Sequence, residues 1–432
     1  MKVSRCILCN EGAVECIVNF GKTPLANEFS SYGDCQDDDL FDLNFIRCVK
    51  CGHTQLDTIV DPERLYRDYL YVSGTSDVNR QHFIDYASDI QQRFNLCPGQ
   101  LVIDIGSNDG ILISALKRSN IDVLGIDPAR NIAMNTEVAT IPEFFNVELA
   151  QKLANGTYNL CQRIENKSQR GISGKKMPLA KVICCNNMFA HNQNLDTIVK
   201  GVLELLDIEG VFIFENSYLL DIVENNLFDT LYHEHCHTHS ITPLIRFFRK
   251  FGMKIFDVKR LPHQQGGSIR VFVCRNSDNR KIEQIVFDML EEEKTIPEKL
   301  KLFATNIDRA KIKFQECIGQ YKEKTIHCYG YAAKTTTLFY KFGIEKNQIK
   351  CCYEDAPLKQ GRFSPGLHIP IVPTNEIYDR KPDVIIVSAW NFAKNIIAKH
   401  QKFVKEYNGI FIVPLPECKI ISKDNIDEYI DI

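Results

Sequence analysis

The sequence predicts an α/β protein with three parts: a small cysteine-rich module at the N-terminus, a central Rossmann-like domain and a C-terminal Rossmann-like α/β domain. Two Cys-x-x-Cys pairs lie within the first 51 residues, a strand–glycine loop–helix–strand unit begins at Leu101, and a second strand–turn–helix unit begins at Ile326. A strand followed by a covering helix and another apolar strand indicates a parallel sheet. We place the three parts at residues 1–66, 67–240 and 241–432.

The composition is that of a globular chain without a strong charge bias. The 432 residues include 52 Lys and Arg against 55 Asp and Glu, for a net charge of −3. A general nucleic-acid or membrane-surface binder would carry a marked basic excess, so we expect neither partner. No apolar run reaches the ~18 residues of a membrane helix, and the polar start lacks the apolar core of a signal peptide. We therefore expect a cytoplasmic protein of two to four domains.

The cysteines divide by their spacing. The chain has 17, an odd number, and without a secretion signal most are expected to be free thiols. Cys6 and Cys9 form one Cys-x-x-Cys knuckle, and Cys48 and Cys51 form a second. Two knuckles complete a tetrahedral shell of four thiolates that suits Zn²⁺, and a filled shell predicts a structural metal. Two accidental pairs or a redox dithiol are the alternatives.

Apolar runs and glycine turns place the elements of the two α/β domains. A helical period covers residues 77–94 and precedes the strand Leu101–Ile105. The chain breaks at Gly106–Gly110, and a helix at 111–118 leads into a strand that ends at Asp127. The remaining elements are expected as strands at 182–185, 211–215, 349–353, 384–388 and 409–413, a surface loop at 161–177 and a long helical stretch at 281–323.

The loop after the first strand is a candidate cofactor site. Its glycines let the backbone approach a ligand at the strand end, although the spacing is not the dinucleotide fingerprint. An acid ends the next strand, where a carboxylate can accept hydrogen bonds from both ribose hydroxyls. Loop and acid together predict a site for S-adenosylmethionine (SAM); an NAD site and an unliganded turn are the alternatives. The candidate contacts are Asp104, Gly106, Ser107, Asn108, Gly110 and Asp127.

A second cluster lies between Tyr232 and His239, where four histidines, a tyrosine and a glutamate fall within eight residues. Histidine oriented by an acid or a phenol suits general acid–base chemistry near neutral pH. A second metal site is one alternative, and a solvated polar loop is another. If the segment is extended, alternation places His233, His235, His237 and His239 on one face.

Ordered blocks along nearly the whole chain carry a family resemblance. They are the two knuckles with Pro24–Phe29, the loop 104–110 with Gly125–Pro128, Asn187–His191, Phe228–His235, Gly266–Val271, Gly330–Lys334, Pro357–Gly366 and Ala389–Ala393. In this order the blocks resemble the nucleotide-sugar C-methyltransferases that act on deoxy-4-ketosugars. The string Phe228–His235 is the most distinctive of them.

The resemblance implies a role for each part and for the reacting residues. The three parts correspond to a zinc-binding domain, a Rossmann-like SAM methyltransferase domain and a C-terminal domain that helps to hold the nucleotide sugar. His235 is the implied base, with Tyr232 and Glu234 beside it, and His191 is a further active-site histidine. A tyrosine near residue 71 also enters the implied site, and of the two candidates, Tyr69 and Tyr71, we choose Tyr71.

The resemblance also implies contacts for the two ligands. Asn187 joins the cofactor contacts. Where the family usually continues its His-Glu-His string with aromatic residues, this chain reads Cys236–His239, so that wall of the pocket differs. The implied substrate-binding residues are Lys334, Lys359, Arg362, Trp390 and Asn391.

These residue types fit carbon methylation. A C–H beside a ketone can lose its proton to a neutral imidazole, because the enolate spreads its charge onto an oxygen that phenol or imidazole donors stabilise. We therefore predict a SAM-dependent C-methyltransferase that methylates C3, or else C5, of a nucleotide-linked 4-keto-deoxysugar. SAM and a structural zinc are the expected cofactors, and a monomer or small homo-oligomer is expected. An inactive zinc/methyltransferase-fold binding protein and an O- or N-methyltransferase are the alternatives.

Overall fold

The computed structural model describes residues 1–31, 38–75, 77–159, 174–262, 264 and 266–431. Most of the surface loop predicted at 161–177 therefore lies outside the described residues. Within the described ranges, no helix is both long enough and apolar enough to span a membrane.

The helices and strands follow the chain in three groups. The N-terminal group consists of β1 (Val14–Thr23), β2 (Ser30–Ser31), β3 (Phe41–Cys48), β4 (Thr54–Leu56) and α1 (Pro62–Tyr66). The central group consists of α2 (Asp77–Arg93), β5 (Leu101–Ile105), α3 (Ile111–Lys117), β6 (Asp122–Ile126), α4 (Arg130–Ala133), β7 (Thr140–Ile141), α5 (Val147–Asn155), β8 (Ala180–Asn186), α6 (Leu195–Leu205), β9 (Leu206–Ser217), α7 (Leu219–Glu224), β10 (His237–Thr238), α8 (Ile241–Arg249), β11 (Met253–Leu261) and β12 (Ser268–Arg275). The C-terminal group consists of α9 (Gln284–Glu292), α10 (Ile296–Gly319), β13 (Ile326–Tyr329), α11 (Ala333–Phe342), β14 (Cys352–Glu354), β15 (Arg362–Phe363), β16 (Ile371–Pro373), α12 (Ile377–Arg380), β17 (Val384–Val387), α13 (Ala393–Lys399), α14 (Gln401–Lys405), β18 (Ile410–Val413), β19 (Lys419–Ile421) and α15 (Ile426–Asp431).

Seven of the described strands form the central sheet, in the order β11-β12-β9-β8-β5-β6-β7. The five strands from β7 to β9 pair in parallel, whereas β12 and β11 are added antiparallel at the β9 edge. The β5 sequence Leu-Val-Ile-Asp-Ile is buried along its whole length, as expected of a parallel strand covered on both faces. The carboxyl ends of β5, β6, β8 and β9 therefore meet at one edge, where open α/β sheets bind ligands.

The central sheet continues beyond residue 240. In β12, Ile269 lies opposite Asn216 of β9 and Arg270 lies opposite Glu215. The sequence analysis placed no strand between residues 241 and 275, and its boundary at 240 divides this sheet. We propose that the central domain ends after Arg275.

The C-terminal group forms a second, mostly parallel sheet in the order β16-β14-β13-β17-β18-β19, in which β19 alone of these described strands is antiparallel to its neighbour. The helix α10 links this domain to the N-terminal module. Phe303 on α10 packs against Phe45 of β3 with ring centroids 6.4 Å apart, and Phe314 packs against Phe342 of α11 at 5.0 Å.

Two strand pairings connect the N-terminal module to the rest of the chain. Its sheet has the order β1-β3-β4-β10, so its fourth described strand comes from the histidine-rich string. The short strand β2 pairs with β15 of the C-terminal domain, with Ser31 opposite Arg362. The module therefore lies against both α/β domains at the edge of the central sheet where the predicted site residues gather.

Candidate active site

Four cysteine sulfurs converge at the two knuckles. Cys6 Sγ lies 3.7 Å from Cys51 Sγ, and Cys9 Sγ lies 3.6 Å from Cys48 Sγ. All four sulfurs lie within 4.8 Å of one another. A tetrahedral zinc ion with Zn–S distances of about 2.3 Å holds its sulfurs about 3.8 Å apart, so the four thiols fit this metal. Four protein ligands leave no open position, which makes the metal structural.

The loop between β5 and α3 is tightly packed against the chain that follows β8. Gly106 has a φ of +74°, and a Cβ atom there would lie 2.7 Å from the Cβ of Met188. Only glycine meets both conditions without strain. Within the described part of the chain, Ser107 Oγ and Asp104 Oδ1 are buried without a hydrogen-bond partner. These atoms are available to a ligand that enters the loop.

Asp127 connects the end of β6 to this loop. Its Oδ2 accepts a hydrogen bond from the backbone N–H of Asn108 and its Oδ1 accepts one from Ala129, both at 2.8 Å. Burial raises the pKa of Asp127 to about 6. A carboxylate oxygen has two lone pairs, so both oxygens retain capacity for ribose hydroxyls. Burial, with Asp127 and Asp109 nearby, raises the pKa of Asp104 to about 8, which leaves it mainly protonated at neutral pH.

The segment before α2 covers the same loop. Asn108 Oδ1 accepts a hydrogen bond from the Ser73 N–H at 2.9 Å, and Asn108 Nδ2 donates to the Tyr71 carbonyl at 3.0 Å. The Tyr71 hydroxyl accepts a hydrogen bond from Asn79 Nδ2 at 3.0 Å, and the residue is 40% exposed. Tyr71 therefore lies beside the glycine loop, with its hydroxyl turned to Asn79.

His235 is held in one tautomer. Its Nδ1 lies 2.6 Å from the carbonyl oxygen of Thr230. A carbonyl only accepts, so Nδ1 carries the hydrogen and Nε2 is left as the basic nitrogen. Burial, with a smaller contribution from the charge of Lys334, lowers the pKa of His235 to about 4, against the raising effect of the Thr230 hydrogen bond. The imidazole is therefore neutral and able to accept a proton at neutral pH.

Aromatic rings surround this base. The His191 ring centroid lies 5.0 Å from that of His235, and the Tyr232 ring centroid lies 4.1 Å from it. Tyr66 stacks on His191 at 5.7 Å. Burial and the neighbouring His235 lower the pKa of His191, and burial raises the pKa of Tyr232, so both side chains are neutral hydrogen-bonding groups.

Glu234 is buried and hydrogen-bonded at both oxygens. Oε1 accepts from Asn27 Nδ2 at 2.6 Å, and Oε2 accepts from the Tyr69 hydroxyl at 2.7 Å. The Tyr66 hydroxyl donates to the Glu234 carbonyl at 3.1 Å. Burial raises the pKa of Glu234 to about 7, against the lowering effects of Tyr69, Asn27 and the charge of Lys359. Tyr69, not Tyr71, is the tyrosine that contacts this carboxylate.

Three of the five predicted substrate-binding residues form one cluster. Lys334 Nζ lies 4.6 Å from the centre of the Trp390 ring and donates a hydrogen bond to Asn391 Oδ1. Trp390 Nε1 donates to Asp229 Oδ2 at 2.6 Å. Because Asp229 lies in the block Phe228–His235, this contact joins the C-terminal domain to the segment that carries His235.

The other two predicted substrate-binding residues lie nearer to the N-terminal module. Lys359 Nζ donates to the Tyr331 carbonyl at 2.9 Å and lies 5.2 Å from the centre of the Phe29 ring. Arg362 begins β15, which pairs with β2. Lys359 therefore belongs to the Glu234 side of the site.

A small cleft lies beside the histidines. It is lined by His191, His235 and Asn187, and also by Asn216 near the end of β9. Asn216 is 2% exposed, and neither its Oδ1 nor its Nδ2 has a hydrogen-bond partner among the described residues. A buried carboxamide without partners that lines a cleft is a candidate contact for a polar substrate.

The four histidines of the string do not share a face. The string turns at Tyr232–His235, where the His235 N–H donates to the Tyr232 carbonyl at 2.8 Å, and is extended only from His237 to His239. His233 lies beside Phe41 with ring centroids 5.8 Å apart, on the N-terminal module. In the described part of the chain, the four cysteines form the one group of three or more potential ligands with metal-site spacing, so the string forms no second metal site.

Sequence reasoning missed four residues that contact the site: Asn27, Tyr66, Asp229 and Asn216. Asn27 and Asp229 lie inside the quoted family blocks, so their position was a usable signal. Tyr66 and Asn216 had no such signal in the sequence, because only the packing of α1 and β9 brings them into contact with the site.

Three family models match successive parts of the chain. A zinc binding domain matches residues 6–66, a methyltransferase domain matches 79–258, and a C-methyltransferase C-terminal domain matches 263–416. C-methyltransferase NovU of Streptomyces niveus is 30% identical over 433 residues, which cover 98% of this chain and 98% of NovU. The four-cysteine cluster lies inside the zinc binding domain.

Solved structures of other methyltransferases overlap only part of the chain. Magnesium protoporphyrin IX methyltransferase of Synechocystis PCC 6803, with bound SAM, is 14% identical and covers 48% of this chain and 85% of that one, with a TM-score of 0.32. A S-adenosylmethionine-dependent methyltransferase of Clostridium acetobutylicum ATCC 824 is 12% identical and covers 46% of this chain and 93% of that one, with a TM-score of 0.33.

Proposed function

The chain belongs to the C-methyltransferase family, and on this premise we propose that it methylates a carbon beside the ketone of a nucleotide-linked 4-keto-deoxysugar. The observation that carries the proposal is the tautomer of His235. Its Nδ1 is bound to the Thr230 carbonyl at 2.6 Å, and its neutral Nε2 is free to take a proton from carbon.

The residues of the glycine loop fit SAM as the methyl donor. The turn at Gly106 has no Cβ atom and leaves space for an adenosyl ligand. Hydrogen-bonding groups for this ligand come from the unpartnered buried atoms of Ser107 and Asp104 and from the carboxylate of Asp127. When bound, SAM supplies an electrophilic methyl group. The zinc ion is assigned no part in the reaction, because four cysteines fill its ligand shell.

We propose that His235 Nε2 removes the proton from the carbon next to the ketone, at C3 in preference to C5. The resulting charge moves to the ketone oxygen, where neutral donors stabilise it. His191, Tyr232 and the carboxamide of Asn216 are the donor groups proposed for this oxygen or for the sugar hydroxyls. Lys334 adds a positive charge close to the base.

The C-terminal domain is proposed to hold the nucleotide. Lys334, Trp390 and Asn391 offer a cation, an aromatic face and a carboxamide in one cluster, which are the groups that bind a base and a diphosphate. Lys359 and Arg362 offer further positive charge at the junction with the N-terminal module.

The proposal is tested by incubating the protein with SAM and a panel of nucleotide-linked 4-ketosugars, and by locating the new methyl group with NMR. We expect a new carbon–carbon bond beside the ketone. In D₂O without SAM, the acidic C–H should exchange for deuterium at a rate that depends on His235. A methyl group on oxygen or nitrogen would reject carbon chemistry. A protein that neither binds SAM nor exchanges the C–H of any ketosugar for deuterium would favour the alternative of an inactive binding protein.

The variant His235→Asn should keep SAM affinity and lose both exchange and turnover, with kcat reduced about 10²- to 10⁴-fold, because a positioned base contributes that much. His400→Asn is the matched control. His400 is also a buried histidine, but it contacts Tyr378 at 3.2 Å in the C-terminal domain, and we expect its replacement to leave kcat within about twofold.

A further inference from the structure

His237 lies where three segments of the chain meet. Its Nε2 is 3.0 Å from the carbonyl oxygen of Asn192, and its Nδ1 is 2.7 Å from Nε2 of His53. The side chain is 2% exposed and lines the cleft that also holds His191 and His235. One buried imidazole therefore touches the N-terminal module, the loop after β8 and the active-site cleft.

The directions of these two hydrogen bonds follow from their partners. The Asn192 carbonyl only accepts, so His237 carries its hydrogen on Nε2 and donates it there. Its Nδ1 must then accept, which makes His53 Nε2 the donor of the second bond. The order of donors is fixed from the module to the loop: His53 donates to His237, and His237 donates to Asn192.

On the module side, this connection begins next to the zinc knuckle. The backbone N–H of Cys48 donates to the His53 carbonyl at 2.8 Å, so the knuckle turn sets the position of His53. The strand β4 follows at once and pairs with β10, with Gln55 opposite His237. Thr54 Oγ1 donates to the Thr238 carbonyl at 2.9 Å. The module thus holds both the backbone and the imidazole of His237.

On the side of the proposed active site, His191 and His235 each lie within two residues of a residue in this hydrogen-bonded connection. Asn192 directly follows His191, and His237 lies two residues after His235. Cys236 Sγ lies 3.7 Å from the His191 carbonyl, a second link between the same segments. A change in the side chain of His237 therefore moves the loop of His191 relative to the string of His235.

We propose that His237 is a positioning residue that fixes the spacing of His191 and His235 by tying both to the four-cysteine module. The consequence for catalysis rests on the proposed function; the structural connection does not. In this arrangement a zinc ion held by the four cysteines would shape the turn that carries His53 and would contact no reacting atom. Misplacement of catalytic groups by about 1 Å costs on the order of 10²-fold in rate.

The test compares three variants of the full-length, zinc-loaded protein. His237→Phe keeps the size of the ring and removes both hydrogen bonds. His237→Asn places an amide oxygen near Nδ1 and can keep the bond from His53. His53→Gln places an amide N–H near Nε2 and can keep the bond to His237. We expect His237→Phe to lower kcat about 10- to 100-fold with unchanged SAM affinity and zinc content, and the two conservative variants to retain more of the rate.

A spectroscopic readout separates this proposal from the proposed function. The imidazole ¹⁵N resonances of His191 and His235 report their environment in the absence of substrate. We expect His237→Phe to shift both, and His400→Asn to shift neither. Shifts in a protein that methylates no ketosugar would reject the proposed function and support the positioning role. Unshifted resonances, or a kcat equal to wild type, would overturn the positioning role.

Zinc removal gives an independent measurement. Chelation should increase hydrogen–deuterium exchange at residues 236–238, because β10 loses the strand on which it pairs. Exchange at β13, whose described pairing partners β14 and β17 both belong to the C-terminal sheet, should stay unchanged and serves as the internal control. Unchanged exchange at residues 236–238 in a protein shown to have lost its zinc would contradict the connection.

Discussion

At the residue scale, Glu234 shows how the site is built from groups far apart in the sequence. Its two oxygens accept hydrogen bonds from Asn27 at 2.6 Å and from Tyr69 at 2.7 Å. Glu234→Gln points an amide N–H at one of these donors, and a buried unsatisfied group costs about 1–3 kcal/mol. We expect the free energy of unfolding of this variant, measured by urea titration, to be lower than that of the wild type by this amount.

The matched rescue is the exchanged pair Asn27→Asp with Glu234→Gln, which restores one donor and one acceptor. Asn27→Asp alone faces Glu234 with a second carboxyl group and should be destabilised as well. If the loss of unfolding free energy in the double variant equals the sum of the losses in the two single variants, the 2.6 Å contact is not formed in solution.

The pKa of His235 predicts the acid side of the pH–rate profile. Catalysis needs the neutral imidazole, and burial lowers its pKa to about 4, so the rate should be maintained as pH falls through 6.5 and lost only near pH 4. The charge of Lys334 contributes to this lowering. Lys334→Met should therefore move the acid limb of kcat to higher pH. A wild-type limb near pH 6.5 would contradict the burial of His235.

Sequence reasoning reached the residues that lie inside distinctive strings and missed those whose role depends on packing. The string Tyr232–His235 pointed to His235, the proposed base, and to its neighbours, and the structure gives the distances between them. Asn216 could not be found this way, because an isolated carboxamide in a buried strand has no local pattern. Which of Tyr69 and Tyr71 contacts Glu234 also has no local signal, because it depends on side-chain direction and on a residue more than 150 positions away in the chain.

At the element scale, the β5–α3 loop gives a test with an internal control. Gly106 and Gly99 both have positive φ, +74° and +84°, but an added Cβ meets Met188 at 2.7 Å only at Gly106 and nothing within 4 Å at Gly99. Gly99→Ala should cost about 1–2 kcal/mol for the left-handed backbone alone. Gly106→Ala should cost more and should also weaken SAM binding, as measured by calorimetry. Equal losses in both variants would contradict the close packing of the loop.

Elements with strong local patterns were predicted almost to the residue. The strand β5 and the helix α2 match the expected ranges, because a continuous apolar run and a helical period are local signals. The string was different. Alternation placed its histidines on one face, but β10 is two residues long, and its partner β4 lies about 180 residues earlier in the chain. A strand this short is formed by its partner and not by its own propensity.

At the scale of the whole molecule, the order of the three parts was predicted from the sequence. The boundary between the second and third stays a prediction, placed at residue 240 from the sequence and proposed after Arg275 from the pairing of β12 with β9. The longer parallel strands, such as β5, β8 and β17, are apolar runs that the sequence marks clearly, whereas the short strands β7 and β16 were not predicted. The added strands β11 and β12 are antiparallel, and β11 contains charged residues such as Lys259 and Arg260, so it lacks the continuous apolar run that marks a buried parallel strand. Their membership in the central sheet depends on the exposed edge of β9, a property of the assembled sheet.

Truncation tests this boundary directly. A chain that ends at residue 240 lacks β11 and β12 and leaves the hydrogen-bonding groups of β9 from Phe212 to Ser217 without their partners. It also lacks Glu293, whose carboxylate accepts a hydrogen bond from the buried Tyr218 hydroxyl at 3.0 Å. We expect this chain to aggregate, because an open and apolar sheet edge pairs with other chains.

A chain that ends at residue 323 keeps the complete central sheet together with α9 and α10, and it loses the cluster around Lys334 and Trp390. We expect this longer fragment to unfold cooperatively and to bind SAM, yet to transfer no methyl group, because the proposed nucleotide contacts are absent. Thermal unfolding followed by circular dichroism, with and without SAM, distinguishes the two fragments. A soluble 1–240 fragment with the same SAM-dependent rise in Tm as the longer one would show that β11 and β12 are dispensable and that the domain ends where the sequence first suggested.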